Sequence, residues 1–355
     1  MMRRTFAFLL VGFLFGIWAL PPADARMVTD STGRQVNVPD QVARVFAAGP
    51  PAATMLYVLA PQLMVGWVHA PSAAAKSFML PAAAALPETG RLTGPSNGQT
   101  TGNNVNLQAL KAAKPDLIVD FGTINDTYKA LADRIQAETG IPYLLIDGSL
   151  DKTPAALRQL GDILGVKPRG EELAKAAEKI LANVDTILAE VPAAQRPHVY
   201  LARGQDGLQT GRRGSITGEI IERAGGTNVA DNPDGKGDLL KTTPDQIAAW
   251  APDTIITLDR DFQQKILAVK AWRPIPAIRN GRVFLAPASP FGFIDEPPSV
   301  NRLIGLTWLM HVFYPGVASG DLHQQVRDFY HLFYQVDLGD KRLRRLLEGS
   351  SSAGP

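Results

Sequence analysis

"KAAKPDLIVD", residues 111–120, reads as a helix end, a proline break, a buried strand and a closing acid. A near-copy, "AAWAPDTIITLD", spans residues 248–259. In each, the proline cannot continue the helix before it, and aliphatic and β-branched residues then form a strand. One helix–Pro–Asp–strand phrase used twice, about half a chain apart, predicts two lobes built alike.

The flanking sequence supports this. In the first half, "RVFAAG" (44–49), "MVGW" (64–67) and "PYLLID" (142–147) read as further buried strands, with a helix in "NDTYKALADRIQAETG" (125–140). In the second half, "HVYLARG" (198–204) and "WRPIPAIRNGRVFLAP" (272–287) carry strands around the helix of "SITGEIIERAGG" (215–226). "VTDSTGRQVNV" (28–38) reads as a hairpin turning on Asp30, Ser31 and Gly33. Between the halves, Leu173, Ala177, Ile180, Val184 and Ile187 form one apolar stripe over residues 169–191. At 1.5 Å per residue that helix is roughly 35 Å long. The predicted fold is α/β: two Rossmann-like lobes with parallel sheets, joined by one long rigid helix, with a ligand cleft between them. The boundaries follow: signal peptide 1–25, first lobe 26–168, helix 169–191, second lobe 192–339 and a disordered tail 340–355.

Composition narrows the function. The 355 residues are 45% hydrophobic and 20% charged, with a formal charge of +2, too small and too evenly spread for a nucleic-acid partner. "KRLRR" at 341–345 reads as a solvated helix end. "MMRR", an apolar run and Ala23-Asp24-Ala25 form an export signal, cut after Ala25. With no cysteine, disulfides, thiolate metal sites and a lipid anchor on an N-terminal cysteine are excluded, so we expect a protein free in the periplasm. The five histidines share no metal-ligand spacing. The sequence holds no GxSxG elbow, HExxH or P-loop, which leaves an exported enzyme as the remote alternative.

Six stretches together resemble a known family: "DSTGRQVNVPDQVARV" (30–45), "NLQALKAAKPDLIV" (106–119), "SITGEIIERAGGTNVAD" (215–231), "TPDQIAAWAPDTIIT" (243–257), "AIRNGRVFLAP" (277–287) and "RLIGLTWLMHVFYPG" (302–316). In that order they resemble the periplasmic substrate-binding proteins of ABC importers for iron–siderophore complexes and vitamin B12. The resemblance implies binding without catalysis, a ligand held between the lobes, a small opening motion and delivery to an inner-membrane ABC permease/ATPase complex. It also places a permease-docking acid on each lobe. Asp245 matches that position in the second lobe, whereas in the first lobe the neutral Gln108 stands where the acid is expected, with Glu88 a substitute.

Several residues are candidates to meet the ligand. Arg203 follows a strand end, and Arg212 and Arg213 precede a helix start, where guanidinium groups and free backbone N–H groups favour an anion. Arg302 is a fourth candidate cation. In "SPFGFIDEPPSVNR" (289–302), Phe291 and Phe293 either cap the core or line the cleft, as the resemblance implies for this loop. Trp67 and His69, and Phe121, Thr123 and Asn125, lie at strand ends of the first lobe. We expect a monomer with no intrinsic cofactor or metal, whose cargo is an Fe(III)-siderophore. Cobalamin, haem or another metal chelate are the alternatives within the same fold.

Overall fold

The computed structural model describes residues 25–93, 107–231 and 237–350. The expected signal peptide lies outside these residues, except for Ala25. Strands β1 (Ala25–Thr29) and β2 (Gln35–Pro39) form the predicted antiparallel hairpin. Gly33, at φ 79°, takes the left-handed position of its turn. The buried Asp30 carboxylate accepts from the Thr32 and Arg34 amides and from the Arg34 guanidinium.

In the first lobe β3 (Val45–Ala47), β4 (Leu117–Gly122) and β5 (Tyr143–Asp147) form a parallel sheet with β4 in the middle. The expected strand at 64–67 is reduced to two isolated bridges, Met64 to Val45 and Trp67 to Glu88. The chain leaves the sheet there because Trp67 donates its amide to Pro87 O (2.8 Å), and Gly66 lies so close that a Cβ would fall 2.5 Å from that oxygen.

The second lobe contains β6 (His198–Ala202), β7 (Gln209–Gly211), β8 (Thr227–Asn228), β9 (Leu239–Lys241), β10 (Thr254–Thr257) and β11 (Val283–Leu285). Its parallel sheet has the order β11-β10-β6-β8, and β7 pairs antiparallel with β9. The repeated phrase therefore supplies an interior strand of each sheet.

Although these strands read as unbroken apolar runs, their side chains alternate between two cores. Leu117, Val119, Leu144, Val199, Leu201 and Ile256 face one continuous core shared by both lobes. Ile118, Tyr143 and Leu145 face a separate outer layer of the first lobe. Tyr200, Ala202 and Ile255 face that of the second. The shared core runs through the connecting helix, Lys167–Glu190, whose Leu173, Ala177, Val184 and Ile187 are buried in it. The helix starts two residues before the expected boundary because Pro168 fits its first turn. Gly170 lets it touch the Thr153–Ile163 helix: a Cβ there would lie 2.7 Å from Leu157 O.

Polar ties also cross between the lobes. Tyr57 Oη donates to Tyr334 O (2.9 Å), Ser299 Oγ to Pro51 O (2.8 Å) and Arg302 Nη2 to Gly148 O (2.5 Å). The assignment of residues 340–355 to a disordered tail needs correction, because Asp340–Leu347 is a helix with Leu343 and Leu346 buried in the shared core. Among the described residues no helix is long and apolar enough to cross a membrane.

Candidate functional site

Parallel strands end together, so the loops after β3, β4 and β6 meet at one rim. Between the lobes these loops enclose a cavity of about 440 Å³. The first lobe contributes Gly49–Pro51, Arg91, Thr93, the end of β4 from Asp120 to Thr123, and Tyr128. The second contributes Arg203, Ile216, Thr217, Asp238, Leu239 and the loop from Asp295 to Pro298. A smaller cavity of about 250 Å³ adjoins it, sharing Pro50, Glu296 and Pro297.

Arg203, Phe121 and Thr123 reach the larger cavity together. Trp67, His69 and Phe291 line the smaller one. There Trp67 donates its indole N–H to Ala83 O (2.7 Å), and its ring lies 6.0 Å from that of Phe291. His69 is held between Glu88, 3.6 Å from Nδ1, and Arg91, whose Nη2 lies 3.3 Å from Nε2.

The remaining candidates do not line either cavity, and each has a local reason. Phe293 is fully buried in the shared core, where Gly305 of the Arg302–Phe313 helix lies against its carbonyl. Arg212 donates to Gly237 O and Arg213 O, both at 2.8 Å. Arg213 donates to Asn228 O (2.8 Å) and pairs with Asp231. Arg212 thus satisfies loop carbonyls, and Arg213 a carbonyl of the edge strand β8. Arg302 has no exposed surface and serves Glu219, Ile216 O and Gly148 O beneath the cavity. Asn125 caps the Asp126–Thr139 helix, accepting from the Tyr128 amide. Gln108 and Asp245 are both exposed, one on the Leu107–Ala113 helix and one on the Pro244–Trp250 helix, so they occupy matching helices before β4 and β10.

Four carboxylates of the cavity wall, Asp120, Asp238, Asp295 and Glu296, had not been singled out from the sequence, and neither had Arg91. Asp120 is buried, and desolvation raises its pKa to about 6 against the hydrogen bonds from Tyr143 (3.1 Å) and Thr93 (3.2 Å). Asp295 is likewise buried and raised to about 6, opposed chiefly by the charge of Arg203 beside it. Burial also raises Asp238 and, with the nearby Asp120 and Asp238 charges, Tyr128. The donor set is therefore two guanidinium groups, hydroxyls and the raised carboxyls of Asp120 and Asp295, and it suits an oxygen-rich ligand. Among the described residues no group of three or more His, Asp or Glu could hold a metal ion by itself.

Two α/β lobes fixed on one helix, with a largely apolar cleft carrying a few polar anchors at their strand ends, define a solute-binding protein. The sequence profile of the periplasmic binding protein family matches residues 76–290, and the chain belongs to that family. It is 27% identical over 360 residues to the molybdate-binding protein MolA of Haemophilus influenzae, covering 92% of this chain and 96% of MolA. The solved structure of an ABC transporter solute-binding protein from Sulfurospirillum deleyianum superposes with a TM-score of 0.81 at 28% identity, over 91% of this chain and 99% of that one. The structure of MolA bound to molybdate shares the fold, with a TM-score of 0.71 at 24% identity over 88% of this chain and 99% of that one.

Proposed function

We propose that this chain is the periplasmic capture component of an ABC importer and that its inter-lobe cleft takes a ferric siderophore, a metal chelate that presents anionic oxygens. One observation carries the reading: Arg91 and Arg203 come from opposite lobes to a single cavity of about 440 Å³. The same cavity is lined by Pro50, Pro51, Phe121, Leu239, Pro297 and Pro298. Pockets of this size with apolar walls and few polar anchors suit organic ligands of moderate size. Charged hydrogen bonds from two guanidinium groups contribute roughly 1.5–3 kcal/mol each. The metal arrives already ligated by its chelator, and the protein binds the outside of that complex.

A second reading is bare molybdate, favoured by the similarity to MolA along nearly the whole of both chains. Titrating the purified protein with an anionic ferric tricatecholate, cobalamin, haem and sodium molybdate, and following tryptophan fluorescence, to which Trp67 beside the cleft contributes, separates the readings. Saturable binding of the tricatecholate alone supports the siderophore. Saturation by molybdate alone replaces it with the oxoanion.

Delivery to a permease would use the matching helices that carry Gln108 and Asp245. Exposed ion pairs contribute only about 0–1 kcal/mol each. Asp245→Ala should therefore weaken docking to the cognate permease severalfold, and Gln108→Glu should strengthen it, both read by binding to permease in nanodiscs. Unchanged docking in both variants would remove these helices from the interface.

A further inference from the structure

Asp295 differs from Asp120, the other buried carboxylate of the cavity wall. It lines the cavity yet is only 3% exposed, and its Oδ2 is taken by Arg203 Nη1. Its Oδ1 is buried with no hydrogen-bond partner among the described residues, and so is Arg203 Nε. Both oxygens of Asp120, by contrast, are engaged by Thr93 and Tyr143. An acceptor and a donor left over on one buried ion pair, in the wall of a binding cavity, need an explanation.

The reading of the cleft as an anion site supplies one. Arg203 is neutralised by Asp295, with the half-exposed Glu296 3.4 Å from its other terminal nitrogen. An anion that reaches Arg203 meets a carboxylate already sharing that guanidinium, and like charges so close in a poorly solvated wall repel strongly. If the carboxyl takes a proton, the repulsion becomes a hydrogen bond: Oδ1, or whichever oxygen carries the proton, donates to the ligand. We propose that Asp295 makes capture proton-coupled, so that the cleft takes its anion together with one proton drawn from solvent and held on the Asp295 carboxyl beside Arg203.

The surroundings agree. Burial holds the Asp295 carboxyl up at about 6, with Glu296 adding to the rise and Arg203 and Arg302 opposing it. Arg302 is itself committed to Glu219, so Arg203 is the cation a ligand would share. The other titratable groups on the cavity are Asp120, Tyr128 and Arg91 on the first lobe and Asp238 on the second. The free carboxyl is ionised at pH 7.5, and a bound anion raises its pKa further. Proton uptake then approaches one per ligand above pH 6, up to the bound-state value. Below pH 6 the carboxyl is protonated in both states and uptake vanishes. Affinity should accordingly fall by up to about tenfold per pH unit above pH 6.

This rests on the anion reading, and calorimetry separates the two. Sodium molybdate and an anionic ferric tricatecholate are titrated at pH 6 to 8 in buffers of differing ionisation heat. Wild type should show uptake approaching one proton per ligand near pH 7.5. Asp295→Asn, which offers a fixed N–H donor, should bind at pH 8 at least as tightly as at pH 6, with no uptake. Asp120→Asn should keep the uptake. If a probe binds to wild type with heat independent of the buffer, the inference falls alone, whether or not the variants fold. Uptake lost in Asp120→Asn and kept in Asp295→Asn would also overturn it. If neither probe binds, the anion reading and the inference fall together.

Discussion

Lys114 and Ala251 adopt the same left-handed backbone, φ 43° and 49°, at the same step of the two repeated phrases. Each ends a helix and precedes a proline, and the next residue ties back to the neighbouring strand. Asp116 donates its amide to Arg44 O and accepts from the Arg44 amide, both at 2.8 Å. Asp253 does the same with His198, both at 3.0 Å. The phrase therefore aligns β4 on β3 and β10 on β6 by one device.

Side chains other than glycine cost about 1–2 kcal/mol in this region, and glycine recovers part of it. Lys114→Gly and Ala251→Gly should each raise stability by about 0.5–1 kcal/mol in urea unfolding. Destabilisation by either would mean that the side chain contributes more than its backbone costs.

Glu219 and Arg302 join the lobes at the floor of the cleft. Glu219 Oε1 accepts from the Leu150 amide (2.9 Å), and Arg302 reaches Gly148 O. Burial pushes the glutamate up and the guanidinium down, each held back by the other's charge. Arg302→Met leaves an unpaired carboxylate and two orphaned carbonyls, and should cost about 3–5 kcal/mol. Glu219→Gln keeps the hydrogen bonds and should cost about 1–2 kcal/mol. Chemical denaturation checks the order of the two.

Tyr57 Oη bridges the lobes by donating to Tyr334 O and accepting from the Leu80 amide (3.0 Å). Tyr57→Phe leaves the buried Tyr334 carbonyl and the part-buried Leu80 amide unpaired, so a loss of about 1–3 kcal/mol is expected by thermal and urea unfolding.

Asp120 links stability to pH. Its folded value of about 6 lies above the ordinary 3.8, so its contribution is complete below the unfolded value and is lost as pH rises through 6. Asp120→Asn should therefore be more stable than wild type at pH 8, by roughly 1–3 kcal/mol, and no more stable at pH 4. Equal stability at pH 8 would place an ionised Asp120 in water.

The two-lobe plan was legible because it is written locally: a proline after a helix, a glycine or left-handed stop, an apolar strand. Strand order was not, since β6 sits between β10 and β8 through contacts distant in sequence. The cleft was half legible. Arg203 follows its strand into the cavity, but Arg212, Arg213 and Arg302 turn to backbone carbonyls that only the folded loops expose. Arg91 lies in a stretch without period. Asp120 was visible as an acid ending an apolar strand, and that was its one signal. At 341–345 the basic run was legible only as a solvated helix end, and its packing on the shared core was hidden because only Leu343, Leu346 and Leu347 are apolar in the helix at 340–347.

The most direct test is the native mass and visible spectrum of the protein taken from its own periplasm under iron limitation. A mass excess of one chelate with a ferric charge-transfer band is the predicted result. A colourless protein at its bare mass that also ignores ferric chelates, cobalamin, haem and molybdate would contradict the account.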